Sequence, residues 1–128
     1  YCKKLNSITF EPNSTIEEIE NRAFFFLTGP EEIVHPPSLN RIRDTALASI
    51  YNLKKVTFLS ESIEIGNLCF LNDYNVVSIS FSNAEKIDFV CRTLFHFPND
   101  AKLLIKCDAK INNTNDIQNQ VFYIENET

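Results

Sequence analysis

Residues 8–24, ITFEPNSTIEEIENRAF, return in altered form at 33–47 as IVHPPSLNRIRDTAL and at 56–70 as VTFLSESIEIGNLCF. Aligned, Ile8, Ile33, Val56 and Ile79 fall in one column, and Phe10, His35, Phe58 and Phe81 in a second, two residues on. A third column holds Ile19, Ile42, Ile65 and Ile87 at successive steps of 23, 23 and 22 residues. Self-similarity at a period between about 20 and 50 residues is the mark of a solenoid, and it overrides any local secondary-structure signal.

An apolar residue precedes the strand column in most copies (Leu5, Leu53 and Val76, with Pro30 in the second). Four residues after the third column comes a small side chain: Ala23, Ala46, Cys69 or Cys91. In the first three copies a large one follows, Phe24, Leu47 or Phe70. The I-x-F pair is period-2 alternation, so its apolar side chains share one side of a short strand. The small-then-large pair predicts a tight inward corner on the opposite wall. One such coil cannot cover its own apolar face, so each must stack on the next.

A fifth strand is expected at Ile105 and Cys107, spaced like Ile79 and Phe81, with RTLFHFPNDA at 92–101 stretching that step to 26 residues. Coils are expected near 5–27, 28–50, 51–73, 74–96 and 97–111. An Asn-rich tail follows over 112–128, in which VFYI at 121–124 is expected to form a capping strand.

With the columns laid out, the chain resembles the BspA-like leucine-rich repeats, whose unit is close to L-x-x-I-x-I-P-x-S-V-x-x-I-G-x-x-A-F-x-x-C. The second copy carries the Pro-x-Ser spacing through Pro36 and Ser38 and the alanine corner at Ala46; the third keeps Gly66 directly after Ile65. The Gly position is Glu20, Arg43 and Asp88 in the other copies, and the late Cys position is Leu27, Ile50 and Asp73. The resemblance implies a leucine-rich repeat solenoid, with short parallel strands stacked as a right-handed superhelix of four to five coils and few regular helices. It also implies adhesion or protein recognition without catalysis, at a cell surface or outside the cell.

With 44% hydrophobic and 23% charged residues in 128, the chain reads as one globular domain. A net charge of −5 argues against nucleic acid or an anionic membrane as the partner, since both demand a cationic face. No run approaches the roughly 18 apolar residues of a membrane span. The opening YCKK has neither an initiator Met nor the apolar stretch of a signal peptide, so a fragment or processed product is expected. Two glycines, Gly29 and Gly66, cannot write the glycine-rich nucleotide motifs or the nucleophile elbow.

The remaining candidates for chemistry read mostly as packing. Cys69 and Cys91 share a column one coil apart, close enough for a disulfide, but Ala elsewhere in that column favours two buried thiols. Cys107 stands where other copies place a core Phe, and Cys2 lies outside the repeat. His35 replaces a Phe, and its reading is a core substitution. His96 lies far from it, and no metal-ligand spacing such as C-x-x-C occurs. EEIEN at 17–21 reads as a solvated wall around the inward Ile19. Sequons at Asn13, Asn112 and Asn126 are about as many as composition gives by chance. No catalytic residue, metal site or cofactor is expected.

Two outward ladders flank the strand core: Thr9, Val34, Thr57, Ser80 and Lys106, and, just before them, Ser7, Glu32, Lys55, Ser78 and Leu104. Free of folding duty, they are the expected contact surface for a protein partner such as a host surface or matrix protein. The triple Phe at 24–26 supplies a second patch, because only Phe24 has a core column and Phe25 and Phe26 are left over. The alternative function is a structural or capping segment of a longer repeat protein that binds nothing itself.

Overall fold

The computed structural model describes residues 7–11, 13–90, 101–106, 109–112 and 121–124. Among them are eleven strands and no helix: β1 (Ser7–Thr9), β2 (Glu18–Ile19), β3 (Glu32–His35), β4 (Arg41–Ile42), β5 (Lys55–Phe58), β6 (Ser62–Ile65), β7 (Ser78–Phe81), β8 (Lys86–Phe89), β9 (Lys102–Lys106), β10 (Lys110–Asn112) and β11 (Val121–Ile124). Every pairing is parallel. Odd-numbered strands form one sheet in the order β1-β3-β5-β7-β9-β11, and even-numbered strands a second in the order β10-β8-β6-β4-β2. The chain is therefore a solenoid whose coils each give one strand to each of two walls.

Like lies over like in the first sheet, where Ile8 meets Ile33, Ile33 meets Val56 and Val56 meets Ile79. The second sheet is a feature the reading of the sequence did not contain: its third column is itself a strand column. Ile19 pairs with Ile42, and Ile42 with Ile65. The alternation Ile63-Glu64-Ile65 and Ile87-Asp88-Phe89, apolar side chains buried and the acid between them half-buried, carries the strand signal.

Two register expectations are corrected. Ile87 does not face Ile65; it faces Ile63, and Phe89 takes the place over Ile65. Likewise Leu103 and Ile105, not Ile105 and Cys107, stand opposite Ile79 and Phe81. The cause is an invariant of the coil. From the second-sheet column to the next first-sheet column the chain takes fourteen residues each time: Ile19 to Ile33, Ile42 to Val56, Ile65 to Ile79 and Phe89 to Leu103. All variation in length falls on the other side, in the turn from first sheet to second. Residues 107–108 lie outside the described residues, as do 91–100 with Cys91 and His96, and Cys2.

The invariant side is a corner built from alternating amides. Arg22, Phe24 and Phe26 donate to the Asp44, Ala46 and Ala48 carbonyls of the next coil at 3.2, 2.9 and 3.1 Å, while Ala23, Phe25 and Leu27 close turns back to Glu20, Arg22 and Phe24. Two columns of left-handed residues make this possible: Arg22, Thr45 and Leu68, and Phe26, Ser49 and Asn72, with φ between 52° and 65°. None is glycine, so the low glycine content hides six positions of the kind that usually advertise themselves by Gly. Side chains finish the ladder, because Asn21 Oδ1 accepts from the Asp44 N–H at 3.1 Å and Asp44 Oδ1 from the Asn67 N–H at 2.9 Å. An insertion here would break a bond on every second residue.

The core fills the space between the sheets. Ile33, Val56, Ile79 and Leu103 face Ile42, Ile65, Ile87 and Phe89, with Leu47, Ile50 and Phe70 from the corner. Through it runs an aromatic stack: His35 lies on Phe58 with centroids 4.6 Å apart and planes 9° off parallel, Phe58 on Phe81 at 5.0 Å and 7°, and Phe10 tilts against His35 at 5.8 Å. The first coil is looser. Ala46 and Cys69 are fully buried, but Ala23, expected in the same inward column, is exposed, because no described coil covers its outer side.

Gly66 is required by space, since a Cβ there would lie 2.7 Å from the backbone of both Arg43 and Asp44. Gly66→Ala is expected to destabilise the chain by about 1–3 kcal/mol in denaturant titration, the range for forcing an extra methyl into packed structure. Phe58→Ala, which interrupts the stack between two parallel neighbours, is expected to cost about 3–5 kcal/mol.

Candidate functional site

The outward face of the first sheet is set by the pleat, because each residue between two core positions points away from the interior. Backbone pairing places Thr9, Val34, Thr57, Ser80 and Leu104 in one row. Ser7, Glu32, Lys55, Ser78 and Lys102 form the row before it. The two-residue register correction therefore moves Leu104 into the first row and brings Lys102, absent from the sequence-based ladders, into the second. Lys106, two residues past Leu104 on β9, falls outside both rows, and its backbone pairs with Ile124 of β11. Thr9, Glu32, Lys55 and Lys102 are exposed, and Val34, Thr57, Ser78, Ser80 and Leu104 half-buried. Hydroxyls thus occupy the centre, an aliphatic side chain stands on either side, and opposite charges sit at Glu32 and Lys55.

The second sheet presents a different wall. Its outward row runs Glu18, Arg41, Glu64, Asp88 and Asn112. Arg41 reaches Glu64 at 3.0 Å and Glu18 at 3.7 Å, and Arg43 reaches Glu18 at 2.7 Å. Glu18 of EEIEN is held in this way beside a buried Ile19. Such exposed pairs contribute little individually, but they occupy the wall's charges with one another. On the turn side an open groove of about 630 Å³ runs across three coils past Ser38, Asn40, Ser62 and Asn83. No group of three His, Cys, Asp or Glu suited to a metal ion occurs among the described residues.

The corner wall carries most of the exposed large apolar side chains: Phe25, Phe26, Tyr51 and Tyr74. Of the two left-over phenylalanines, neither enters the core. Phe26 meets both Phe25 and Tyr51 edge to face, at 5.9 and 5.7 Å. The aromatic members at 51 and 74 were not singled out in the sequence, although their 23-residue spacing is the period itself.

Among the described residues three buried titratable groups lie inside. His35 is wholly enclosed, neither ring nitrogen finds a hydrogen-bond partner, and burial lowers its pKa to about 3. It is a core histidine standing in for Phe. Asp73 is 1% exposed; its Oδ1 accepts from the Ile50 N–H at 2.8 Å, Oδ2 has no partner, and burial raises the pKa to about 9 against the opposing effect of that hydrogen bond. Cys69 is a buried free thiol whose pKa burial pushes up, which makes it a poor nucleophile. No nucleophile, base and orienting group converge on these three.

A family model described as BspA type leucine rich repeat region matches the chain in six copies over residues 1–127. Neither the curated proteins nor the solved structures contain a match. Among the described residues no helix is long and apolar enough to cross a membrane.

His35 and Asp73 make opposite contributions to stability as pH changes. His35 is lowered from 6.5, so the unfolded chain holds the extra proton; its contribution is whole above pH 6.5 and lost as pH falls toward 3. Asp73 is raised from 3.8, so the folded chain holds the extra proton; its contribution is whole below pH 3.8 and lost as pH rises toward 9. Each slope is about 1.4 kcal/mol per pH unit. The two oppose each other between pH 3.8 and 6.5, which predicts a level region there and a decline from 6.5 to 9. In denaturant titrations across pH, Asp73→Asn should flatten the alkaline decline, and His35→Phe should make stability rise with acidification below 6.5.

Proposed function

Because the chain belongs to the BspA-type leucine-rich repeat family, we propose that it is a protein-recognition module that binds through the outward face of its first sheet. The observation that carries this reading is the pair of outward rows, in register over five strands and spared by both the core and the ion pairs of the second sheet. Each coil adds one row of side chains to such a face, so contact area grows with coil number and no deep pocket is needed. A mixed polar face with flanking Val34 and Leu104 suits a broad protein contact.

Adhesion to a host surface or matrix protein, at the cell surface or outside the cell, is the setting that the family's usual association suggests. The family's repeats are generally non-enzymatic, and the full burial of His35 and Cys69 supports the same reading here. The second reading is a structural segment of a longer solenoid. It draws on the stacking itself, because coils that pair in parallel through both sheets can be continued by further coils of the same kind.

The test is binding of the purified chain to immobilised matrix proteins by surface plasmon resonance. The double substitution Lys55→Glu and Thr57→Glu should weaken binding about tenfold or more while circular dichroism stays unchanged, because both side chains lie at the centre of the face. Binding by a longer parent alone would favour the structural reading, and undiminished binding by the double variant would move the contact off this sheet.

A further inference from the structure

The strand-face proposal leaves the aromatic corner unexplained, and packing does not explain it either. Phe26 is 57% exposed and Tyr74 61%. Phe26 also stands in a left-handed column whose other members, Ser49 and Asn72, are small or suited to that backbone; a bulky aromatic there is an outlier. An outlier that buys no burial points toward function.

Arg22 lies at one end of the strip, its guanidinium 5.3 Å from the centre of the Phe25 ring. The other cations of known pairing on this part of the chain, Arg41, Arg43 and Lys54, each have a carboxylate within 4 Å. Among the described residues Arg22 has the ring and no carboxylate. Its bidentate donors match a carboxylate better than any other anionic side chain of a protein.

We infer that the corner formed by Arg22, Phe25, Phe26, Tyr51 and Tyr74 docks a protein segment presenting an aliphatic or aromatic side chain beside a carboxylate. Charge and apolar exposure together select this occupant, because a cation without a carboxylate of its own stands beside the exposed rings of Phe25, Phe26 and Tyr51, and the complementary partner brings an anion and an apolar side chain. Phe25 against Phe26 and Phe26 against Tyr51 both stand at 84°, edge to face. Exposed aromatic side chains with an Arg are the composition of an interface anchor. The corner follows the second-sheet strands and precedes the first-sheet strands, so this site is separate from the strand face and does not depend on that reading.

A phage library of random dodecapeptides panned against the whole chain supplies the probe, with enriched peptides synthesised and titrated by fluorescence anisotropy. Enriched peptides should carry Leu, Ile or Phe within a few residues of Asp or Glu. Phe26→Ser, which copies the residue at Ser49, and Tyr51→Ser should each weaken them about tenfold or more, and Arg22→Gln should do so to a smaller, salt-dependent extent. Lys55→Glu with Thr57→Glu should leave these affinities unchanged, and circular dichroism should match the parent for every variant. Enriched peptides lacking the pattern, or affinities unmoved by both Phe26→Ser and Tyr51→Ser, would overturn the inference. So would self-association in sedimentation that Phe26→Ser abolishes, or oligosaccharide binding that depends on these rings, since each gives the patch another occupant.

Discussion

The hydrogen bond from one coil to the next is the interaction on which the rest of this molecule depends. It operates in both sheets and continues around the corner, where every second amide leaves its own coil for a carbonyl of the following one. Parallel pairing in register forces each side chain over its counterpart one period away. Core columns, outward rows and the aromatic stack through His35, Phe58 and Phe81 are therefore the same fact seen from three sides. It also explains why the backbone tolerates left-handed residues without glycine: Arg22, Phe26, Thr45 and Ser49 each donate a backbone bond to the following coil, and the local cost is shared by a ladder that cannot form otherwise.

The ladder divides the coil into a part that cannot vary and a part that can. Fourteen residues separate the second-sheet column from the next first-sheet column in every described coil, while the turn from first sheet to second changes length. Polar side chains reinforce the invariant part. Asn21 and Asp44 accept amides of the following coil from positions one period apart, and Asp73, in a column that is Leu27 and Ile50 in the coils before, accepts one from the preceding coil. On the variable turn, hydroxyls serve the same purpose less regularly: Ser38 donates to the Ile16 carbonyl, and Ser60 to that of Leu39.

The walls that result have different chemistry for physical reasons. The second sheet neutralises its charges internally through Arg41 and Arg43, which leaves little for a partner to pair with. The first sheet keeps hydroxyls with Glu32 and Lys55 side by side, and the corner keeps rings and an arginine without a carboxylate. The proposed contacts therefore fall on two walls, one on the outward face of the first sheet and one on the corner that leads into it.

Much of this was legible in the residues themselves. A recurring apolar column at a fixed period has no explanation other than stacking, and the alternation around Ile33, Val56 and Ile79 gave both the inward pairs and the outward rows. His35 was legible as packing because Phe fills its column elsewhere. What the residues could not supply was register beyond the third coil. Ile87 and Phe89 are both apolar, as are Leu103 and Ile105, so two placements satisfy the hydrophobic pattern equally well. The choice falls to backbone hydrogen bonds and to a corner of constant length, neither of which leaves a mark in side-chain identity. For the same reason Lys102 and Leu104 found their rows only in three dimensions, and Phe26, Tyr51 and Arg22 became neighbours only when the coils were stacked: side-chain type sets what a coil must bury, and the geometry between coils sets what it presents.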